Sequence, residues 1–256
     1  MSRKESLDAL RKKIDHVDAK LVDLLNERAS LAKQIGHAKS LDGQEIFVPG
    51  REQEIFKRIS TLNSGPLPEK SVHSIYREIL SASRSLEAPL TVAYFGPEAT
   101  YTHMAARDRF GSSTTYVPMA SIPDVFQEVK LDRVDYGVVP IENSTEGVVT
   151  HTLDMLVEAD VKICAEIVLD VHHCLLSRTG KAEDVRDIIS HPQALAQCRR
   201  WITTNHPDAR VSEAPSTAQA AQMASKEDGL AAIASALAKE LYGLEIVARN
   251  IEDQAN

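Results

Sequence analysis

Apolar residues recur every seven positions at Leu7, Ile14, Leu21 and Ile35, and Leu10, Val17, Leu24, Leu31 and Ala38 follow at the intervening three-residue step. This is a sustained heptad with both seam positions filled, and it predicts one helix over Leu7–Lys39. That stretch holds no proline, and its single glycine, Gly36, lies near the end, so the rod is about 50 Å long at ~1.5 Å per residue. A rod cannot bury its own stripe. It needs the helices that follow it and, with three helices of which one is so long, a second copy of the chain. Asp42-Gly43 and Pro49-Gly50 mark a loop, and Ile55, Phe56, Ile59 and Leu62 give a shorter amphipathic helix. After Pro66-Leu67-Pro68, a third helix carries Val72, Tyr76 and Leu80 on one face, and Pro89 closes the segment.

Beyond Pro89 the period changes. Short strands are predicted at Leu90–Phe95, Thr114–Val117, Val134–Val139, Val161–Leu169, Val185–Ile189, Ala209–Val211 and Leu230–Ile233. Helices are predicted between them at Tyr101–Phe110, Val125–Leu131, Thr152–Glu158, Ala194–Thr203, Ala218–Ser225 and Ala236–Tyr242. Alternation of this kind predicts parallel sheets with covered faces. An all-α domain over 1–88 followed by an α/β domain over 90–256 is therefore expected.

Composition narrows the function. The chain has 256 residues, enough for two cores, and 43% hydrophobic with 26% charged residues excludes a disordered or collagen-like chain. The net charge of −8 argues against a sequence-independent nucleic-acid binder or a membrane-surface protein. It is unevenly spread: residues 1–89 carry +2 and the remainder −10, so the helical part can serve an anionic ligand. Cys164, Cys174 and Cys198 have no paired spacing and no secretory leader precedes them, which predicts reduced thiols in a cytoplasmic protein. The most apolar windows, such as Gly229–Ala238, fall short of the ~20 residues that a membrane span requires. His172-His173-Cys174 lacks a second cluster to complete a metal site, and no metal or other cofactor is expected.

Candidate chemistry begins where the heptad breaks. Position 28 belongs on the apolar seam and is Arg28, a costly placement unless the charge is paired or ligand-bound. Lys39 lies about 20° around the helix and ~16 Å along it, so the two side chains can close on one small anion. Arg11 is roughly 25 Å from Arg28 along the rod and reaches the same site only from a partner chain. The alternative is a register device at Arg28 with Arg11 and Lys39 as solvated charges. On the third helix Ser83 and Glu87 continue the stripe of Val72, Tyr76 and Leu80, and on the second Glu52 follows Arg51 in phase with Ile55, Phe56 and Ile59. Polar groups of all three helices thus face one interior.

Leu10-Arg11 with Ile14-Asp15, Leu25-Asn26-Glu27-Arg28, Gly36-His37-Ala38-Lys39, Arg51-Glu52 and Ser83 to Glu87 resemble the all-helical chorismate mutase family, an intertwined three-helix homodimer. The resemblance implies the Claisen rearrangement of chorismate to prephenate, with no covalent step on the protein. It implies that Arg28 and Arg11 of the partner hold carboxylates, that Lys39 and Glu87 address the ether oxygen, that Ser83 and Arg51 complete the anion shell, and that Glu52 takes the ring hydroxyl. Two departures stand out. Val48, where relatives have Asp, offers substrate only its backbone, and Glu87, where others have Gln, must be protonated to donate a hydrogen bond.

In the second domain polar residues cluster at strand ends: Gly96 to His103, Pro140 to Gly147, Ser190 to Gln193, and Ser216-Thr217 ahead of a helix. Glu142-Asn143-Ser144-Thr145-Glu146-Gly147, Ser190-His191-Pro192-Gln193 through Gln197, Ser216-Thr217-Ala218, and Tyr242-Gly243-Leu244 with Asn250-Ile251-Glu252-Asp253 resemble prephenate dehydratase. That family is a two-lobed fold of the periplasmic-binding-protein type (type II) with its site in the cleft. With the mutase ahead of it, the chain is similar to the bifunctional P-proteins of phenylalanine biosynthesis, which convert prephenate to phenylpyruvate. The resemblance assigns catalytic roles to Asn143, Ser190, Gln197 and Thr217, and substrate contacts to Thr100, Thr102, Ser144, Thr145 and His191. Ala99 stands where the family has Gly. The family continues past Asp253 into a Thr-Arg-Phe motif and a phenylalanine-binding ACT domain, whereas this sequence ends at Asn256, so impaired dehydratase turnover and no feedback inhibition are expected. A competing reading is a two-lobed sensor of small aromatic acids with a helical dimerisation domain.

Overall fold

The computed structural model describes residues 6–41, 49–144 and 147–254. The chain divides into two compact units, one running to Leu90 and including Phe110–Thr115, the other formed by Thr91–Arg109 and the chain from Tyr116. Among the described residues no helix is long and apolar enough to cross a membrane.

In the first unit, α1 (Leu7–Leu41), α2 (Pro49–Leu62) and α3 (Glu69–Glu87) follow the predicted heptad and amphipathic stripes. Both α1 and α2 pack on α3. The loop ahead of α2, with Val48, lies outside the described residues. Ile59 of α2 and Leu80 of α3 are buried, and so are Glu52, Ser81, Ser83 and Arg84. The seam of α1 is left open: Leu7, Leu10, Ile14, Val17, Leu21, Leu24, Leu31 and Ile35 are 44–63% exposed. The segment Phe110–Thr115 belongs to this unit because it seats on α3. Ser113 N–H donates to Ser81 Oγ at 3.1 Å and Ser112 N–H to Glu78 at 3.1 Å. Gly111 makes that approach possible, since a Cβ there would come within 2.4 Å of Ser81 Cβ.

The second unit is α/β. A small sheet runs in the order β2 (Thr115–Met119), β1 (Thr91–Phe95), β3 (Tyr136–Val138), with β1 and β3 parallel. The helices α4 (Tyr101–Phe110) and α5 (Ile122–Lys130) follow β1 and β2. A hairpin, β4 (Glu142–Asn143) with β5 (Gly147–Val148), leads to α6 (Thr150–Glu158). The larger sheet is ordered β10, β6, β9, β7, β8. Its strands are β6 (Cys174–Ser177), β7 (Asp187–Ser190), β8 (Arg210–Glu213), β9 (Leu230–Ala234) and β10 (Glu245–Arg249). The intervening helices are α7 (Pro192–Gln197), α8 (Arg199–Asn205), α9 (Thr217–Ala224) and α10 (Leu237–Tyr242). Leu176, Ile189 and Ala232 pack with α9 in one core cluster, and Leu175, Ile188 and Ile233 pack with α7 and α8 in another.

Three expectations are corrected. The larger sheet is mixed, because β6 runs antiparallel to β9 and β10 antiparallel to β6. All four residues of β6 are buried, so it offered no alternation to read. Val161–Leu169 is not a strand: a strand needs a bonded neighbour as well as a pattern, and here Ile163 and Val168 are 73% and 86% exposed. The single helix over 194–203 is two helices meeting at Cys198, whose φ of −110° and ψ of 9° interrupt the turn.

The loop after β1 carries a buried residue in a left-handed conformation. Ala99 is buried with φ of 66°, a left-handed conformation that costs a residue with a Cβ about 1–2 kcal/mol. Its surroundings fix it: Ala99 N–H donates to His103 Nδ1 at 3.2 Å, and Ser235 Oγ donates to Ala99 O at 2.9 Å. His103 stacks on Tyr94 with ring centroids 4.4 Å apart, and burial lowers its pKa to about 4, with Arg107 acting in the same direction. The unfolded chain therefore takes up a proton near pH 6.5 that the folded ring refuses until about pH 4, so stability declines as pH falls through this window. The slope is on the order of 1 kcal/mol per pH unit. Urea unfolding at pH 7 and pH 5 checks this: His103→Gln should lose less stability than the wild type on acidification, and equal losses would remove the role given to this histidine.

Candidate functional site

In the helical unit the site starts from a missing side chain. A Cβ on Gly36 would lie 2.8 Å from both Cβ and Cγ of Glu87, so the glycine is a notch in α1 that admits Glu87 of α3. There the Glu87 carboxyl is half-buried, and loss of water raises its pKa against the pull of Lys39, Arg28 and Arg84. Arg28 Nη1 donates to Ser83 Oγ at 2.6 Å, and Ser83 Oγ donates onward to Ile79 O at 2.7 Å. The interrupted stripes of α1 and α3 thus bring Arg28, Lys39, Ser83 and Glu87 together.

Other predicted residues are placed elsewhere. Glu52 is buried, but its carboxylate is paired with Arg84, which also donates to the Phe110 carbonyl. That pairing ties α2 to α3. Arg51 turns to solvent and pairs with Glu54 at 2.8 Å, one helical turn on. Arg11 lies in solvent beside Asp8 at 3.5 Å. Arg84 is the residue that the stripe analysis missed. The signal was available, since Arg84 follows Leu80 by four and precedes Glu87 by three, on the same face.

In the α/β unit most of the predicted residues lie at carboxyl ends of strands or amino ends of helices, whereas Gln197 closes α7. Thr100 Oγ1 donates to Pro97 O at 3.1 Å and accepts from His103 N–H at 3.3 Å, closing the turn that leads into Thr102 on α4. Asn143 is paired with Gly147 across the β4–β5 hairpin, Ser144 follows it exposed, and Thr145 lies outside the described residues. His191 caps α7, accepting from Gln193 N–H at 3.3 Å. Thr217 is the first residue of α9, whose cap is Ser216. Ser190 is fully buried and donates its hydroxyl proton to Ile233 O at 2.6 Å, so it locks β7 to β9. Gln197 Oε1 lies 2.8 Å from His173 Nε2. Three tethers gather these ends: Ser235 to Ala99, Tyr242 Oη to Glu98 O at 3.2 Å, and Tyr101 Oη to His173 Nδ1 at 2.7 Å. His172 and His173 face different partners, Glu252 and the Tyr101–Gln197 pair respectively.

One unit thus offers cations around a raised carboxyl, and the other neutral donors at strand ends. The sequence profile described as chorismate mutase type II matches residues 10–88, and that described as prephenate dehydratase matches residues 92–256. The chain belongs to the family of bifunctional chorismate mutase/prephenate dehydratases, and its two domains are an isomerase acting on chorismate and a lyase acting on prephenate. A bifunctional chorismate mutase/prephenate dehydratase of Aquifex aeolicus is 49% identical over 256 residues, which span 98% of this chain and 71% of that protein. Its Escherichia coli counterpart is 31% identical over 97% of this chain and 69% of its own length. Among solved structures, the prephenate dehydratase of Arthrobacter aurescens in complex with L-Phe matches with a TM-score of 0.58 and 32% identity, over 64% of this chain and 56% of that one.

The Glu52–Arg84 pair has a measurable consequence. Glu52→Ala leaves a buried guanidinium short of its counter-charge and should destabilise the helical unit by about 3 kcal/mol. Glu52→Leu combined with Arg84→Met should recover most of that loss in thermal unfolding followed by circular dichroism. A single Glu52→Ala variant as stable as the wild type would show that the pair contributes nothing.

Proposed function

We propose that the mutase reaction takes place in an intertwined homodimer, on Arg28, Lys39, Ser83 and Glu87 of one chain and Arg11 of the partner subunit. The observation that carries this is the half-buried Glu87 carboxyl, held beside Lys39 and Arg28 with its pKa raised. Chorismate brings two carboxylates, and as its ether C–O bond loosens, negative charge builds on the oxygen. Fixed positive groups and a protonated carboxyl aimed at that oxygen stabilise the transition state more than the ground state. Arg28, already oriented by Ser83, takes a carboxylate, while Lys39 and protonated Glu87 serve the ether oxygen. The open α1 seam supports the dimer: covering eight half-exposed apolar side chains at about 1 kcal/mol each supplies ~8 kcal/mol of association free energy.

For the second reaction, the reading is a two-lobed cleft of the periplasmic-binding-protein type within residues 90–256, following a mutase domain over 1–88. Thr100, Thr102, Asn143, Ser144, Gln197 and Thr217 line it, His191 and Ser190 support α7 and β7, Thr145 is a further substrate contact by resemblance, and the protein works in the cytoplasm. Neutral donors suit the chemistry. A strong cation on the departing carboxylate would stabilise prephenate itself and slow loss of CO2, whereas amide and hydroxyl groups hold the anion without trapping it.

Two experiments test the mutase centre. Activity should fall as pH rises through the raised pKa of Glu87, because the ionised carboxylate no longer donates to the ether oxygen. Glu87→Gln should flatten that dependence, and a wild-type rate constant from acid to mildly alkaline pH would exclude the role. Arg11→Ala and Arg28→Ala should each reduce kcat/KM by ~100-fold or more. If each site draws on both subunits, mixing the two inactive variants regenerates one intact site per mixed dimer and about a quarter of the wild-type activity. No recovery on mixing would place Arg11 outside the site.

A further inference from the structure

Gln197 presents a choice that its own shape does not make. Its amide has nearly the same outline when turned by half a rotation, so either the carbonyl or the N–H2 group can face an incoming ligand. Toward an anion only the N–H2 face is attractive. What stands behind the amide therefore decides what stands in front of it.

Behind Gln197 is His173, a fully buried ring that the proposed mechanism does not use. Its Nε2 lies 2.8 Å from Gln197 Oε1, and its Nδ1 lies 2.7 Å from Tyr101 Oη. The ring is held on every side. Its backbone N–H donates to Glu252 Oε2 at 2.9 Å, its carbonyl accepts from Ile251 N–H at 3.0 Å, and the Tyr101 ring meets it edge-on at 5.7 Å. Glu252 is itself fixed by His172 Nδ1 at 2.7 Å, so the backbone of the histidine pair cannot shift without breaking hydrogen bonds to this carboxylate.

We propose that His173 is a positioning residue for the dehydratase site: as the neutral Nε2–H tautomer, with Tyr101 donating to its Nδ1, it captures the carbonyl end of the Gln197 amide and so turns the N–H2 end toward an anionic substrate. This rests on the reading of Gln197 as a substrate-contacting residue. A carbonyl oxygen only accepts, so the 2.8 Å contact puts the proton on Nε2. A neutral imidazole has one N–H, which leaves Nδ1 as an acceptor for the Tyr101 hydroxyl. The Tyr101 hydroxyl also faces His172 O as a donor at 3.0 Å, and its single proton serves one of the two acceptors at a time: with the proton on His172 O, Nδ1–H would donate to Tyr101 and Nε2 would turn the amide around. The proton order along Tyr101, His173 and Gln197 is thus one variable with two values, and only one of them suits a carboxylate. Burial lowers the pKa of the ring and His172 acts in the same direction, although Gln197 and Glu252 pull the other way; the thiols of Cys174 and Cys198 and the Glu252 carboxyl face the Tyr101 hydroxyl.

The test has two arms on the full chain. Histidine nitrogen NMR at pH 7 should find His173 with Nε2 protonated and Nδ1 bare; an Nδ1–H ring or an imidazolium overturns the proposal. The second arm measures prephenate binding by calorimetry in an Arg28→Ala background, which removes binding at the mutase site. Gln197→Leu should weaken binding about tenfold or more. Tyr101→Phe, which keeps the ring and removes only the donor, should weaken it by several-fold and bring mixed tautomers into the spectrum. His173→Gln, which can still donate to Oε1, should bind more tightly than His173→Leu. If Gln197→Leu weakens binding while Tyr101→Phe and His173→Leu leave it unchanged, the positioning role is refuted and Gln197 stands alone. Unchanged binding in Gln197→Leu refutes the reading of Gln197 and this proposal with it.

Discussion

A carboxyl group that has lost part of its water between two helices, next to cations that would rather see it ionised, is the constraint on which the helical unit depends. Glu87 reaches that position because Gly36 has no side chain to oppose it. The same approach of α1 to α3 sets Arg28 against Ser83. Arg84 adds positive charge nearby, yet its guanidinium is committed to Glu52 and the Phe110 carbonyl. Arg28 of α1 and Arg84 of α3 thus differ in what each is bonded to, although both act on the same Glu87 carboxyl.

The two units solve opposite electrostatic problems with one chain. In the proposed mutase mechanism, charge accumulates on an ether oxygen and fixed cations lower the barrier. In the dehydratase, a carboxylate must depart as neutral CO2, so strong cations would hold the substrate back. The uneven charge follows this division, with +2 over residues 1–89 and −10 over the rest. In the α/β unit the work of positioning falls on hydrogen bonds from buried neutral groups. Ser190 fastens β7 to β9, Ser235 and His103 hold Ala99 in its left-handed turn, and Tyr101 ties the loop after β1 to the start of β6 through His173. Low local dielectric makes such bonds directional and costly to leave unmade.

Legibility differed by element for physical reasons. α1 could be read almost to its ends because a heptad repeats over ten turns and noise in any one position averages out. Arg28 stood out because a charge on an apolar seam violates a strong rule. Arg84 did not, because a charged residue beside a polar pair reads as ordinary surface until its burial is known. β6 was invisible because a strand covered on both faces has no alternation, and Val161–Leu169 was misread because alternation appears there without a bonded neighbour. Ala99 marks the limit of glycine-based turn prediction, since neighbours 4 and 136 residues away hold it where its own Cβ is unfavourable.

By itself the sequence determined the two periods, hence a helical unit followed by an α/β unit, and the residue types on which each chemistry draws. Those properties are local: they depend on spacing along the chain and on what a side chain can donate or accept. Which cation is paired within the core, whether a serine hydroxyl is already bonded, and which buried ring an amide meets were decided only in the tertiary structure. Each of these turns on a partner tens of residues away, and hydrogen bonding and burial are properties of pairs in space that no single position encodes.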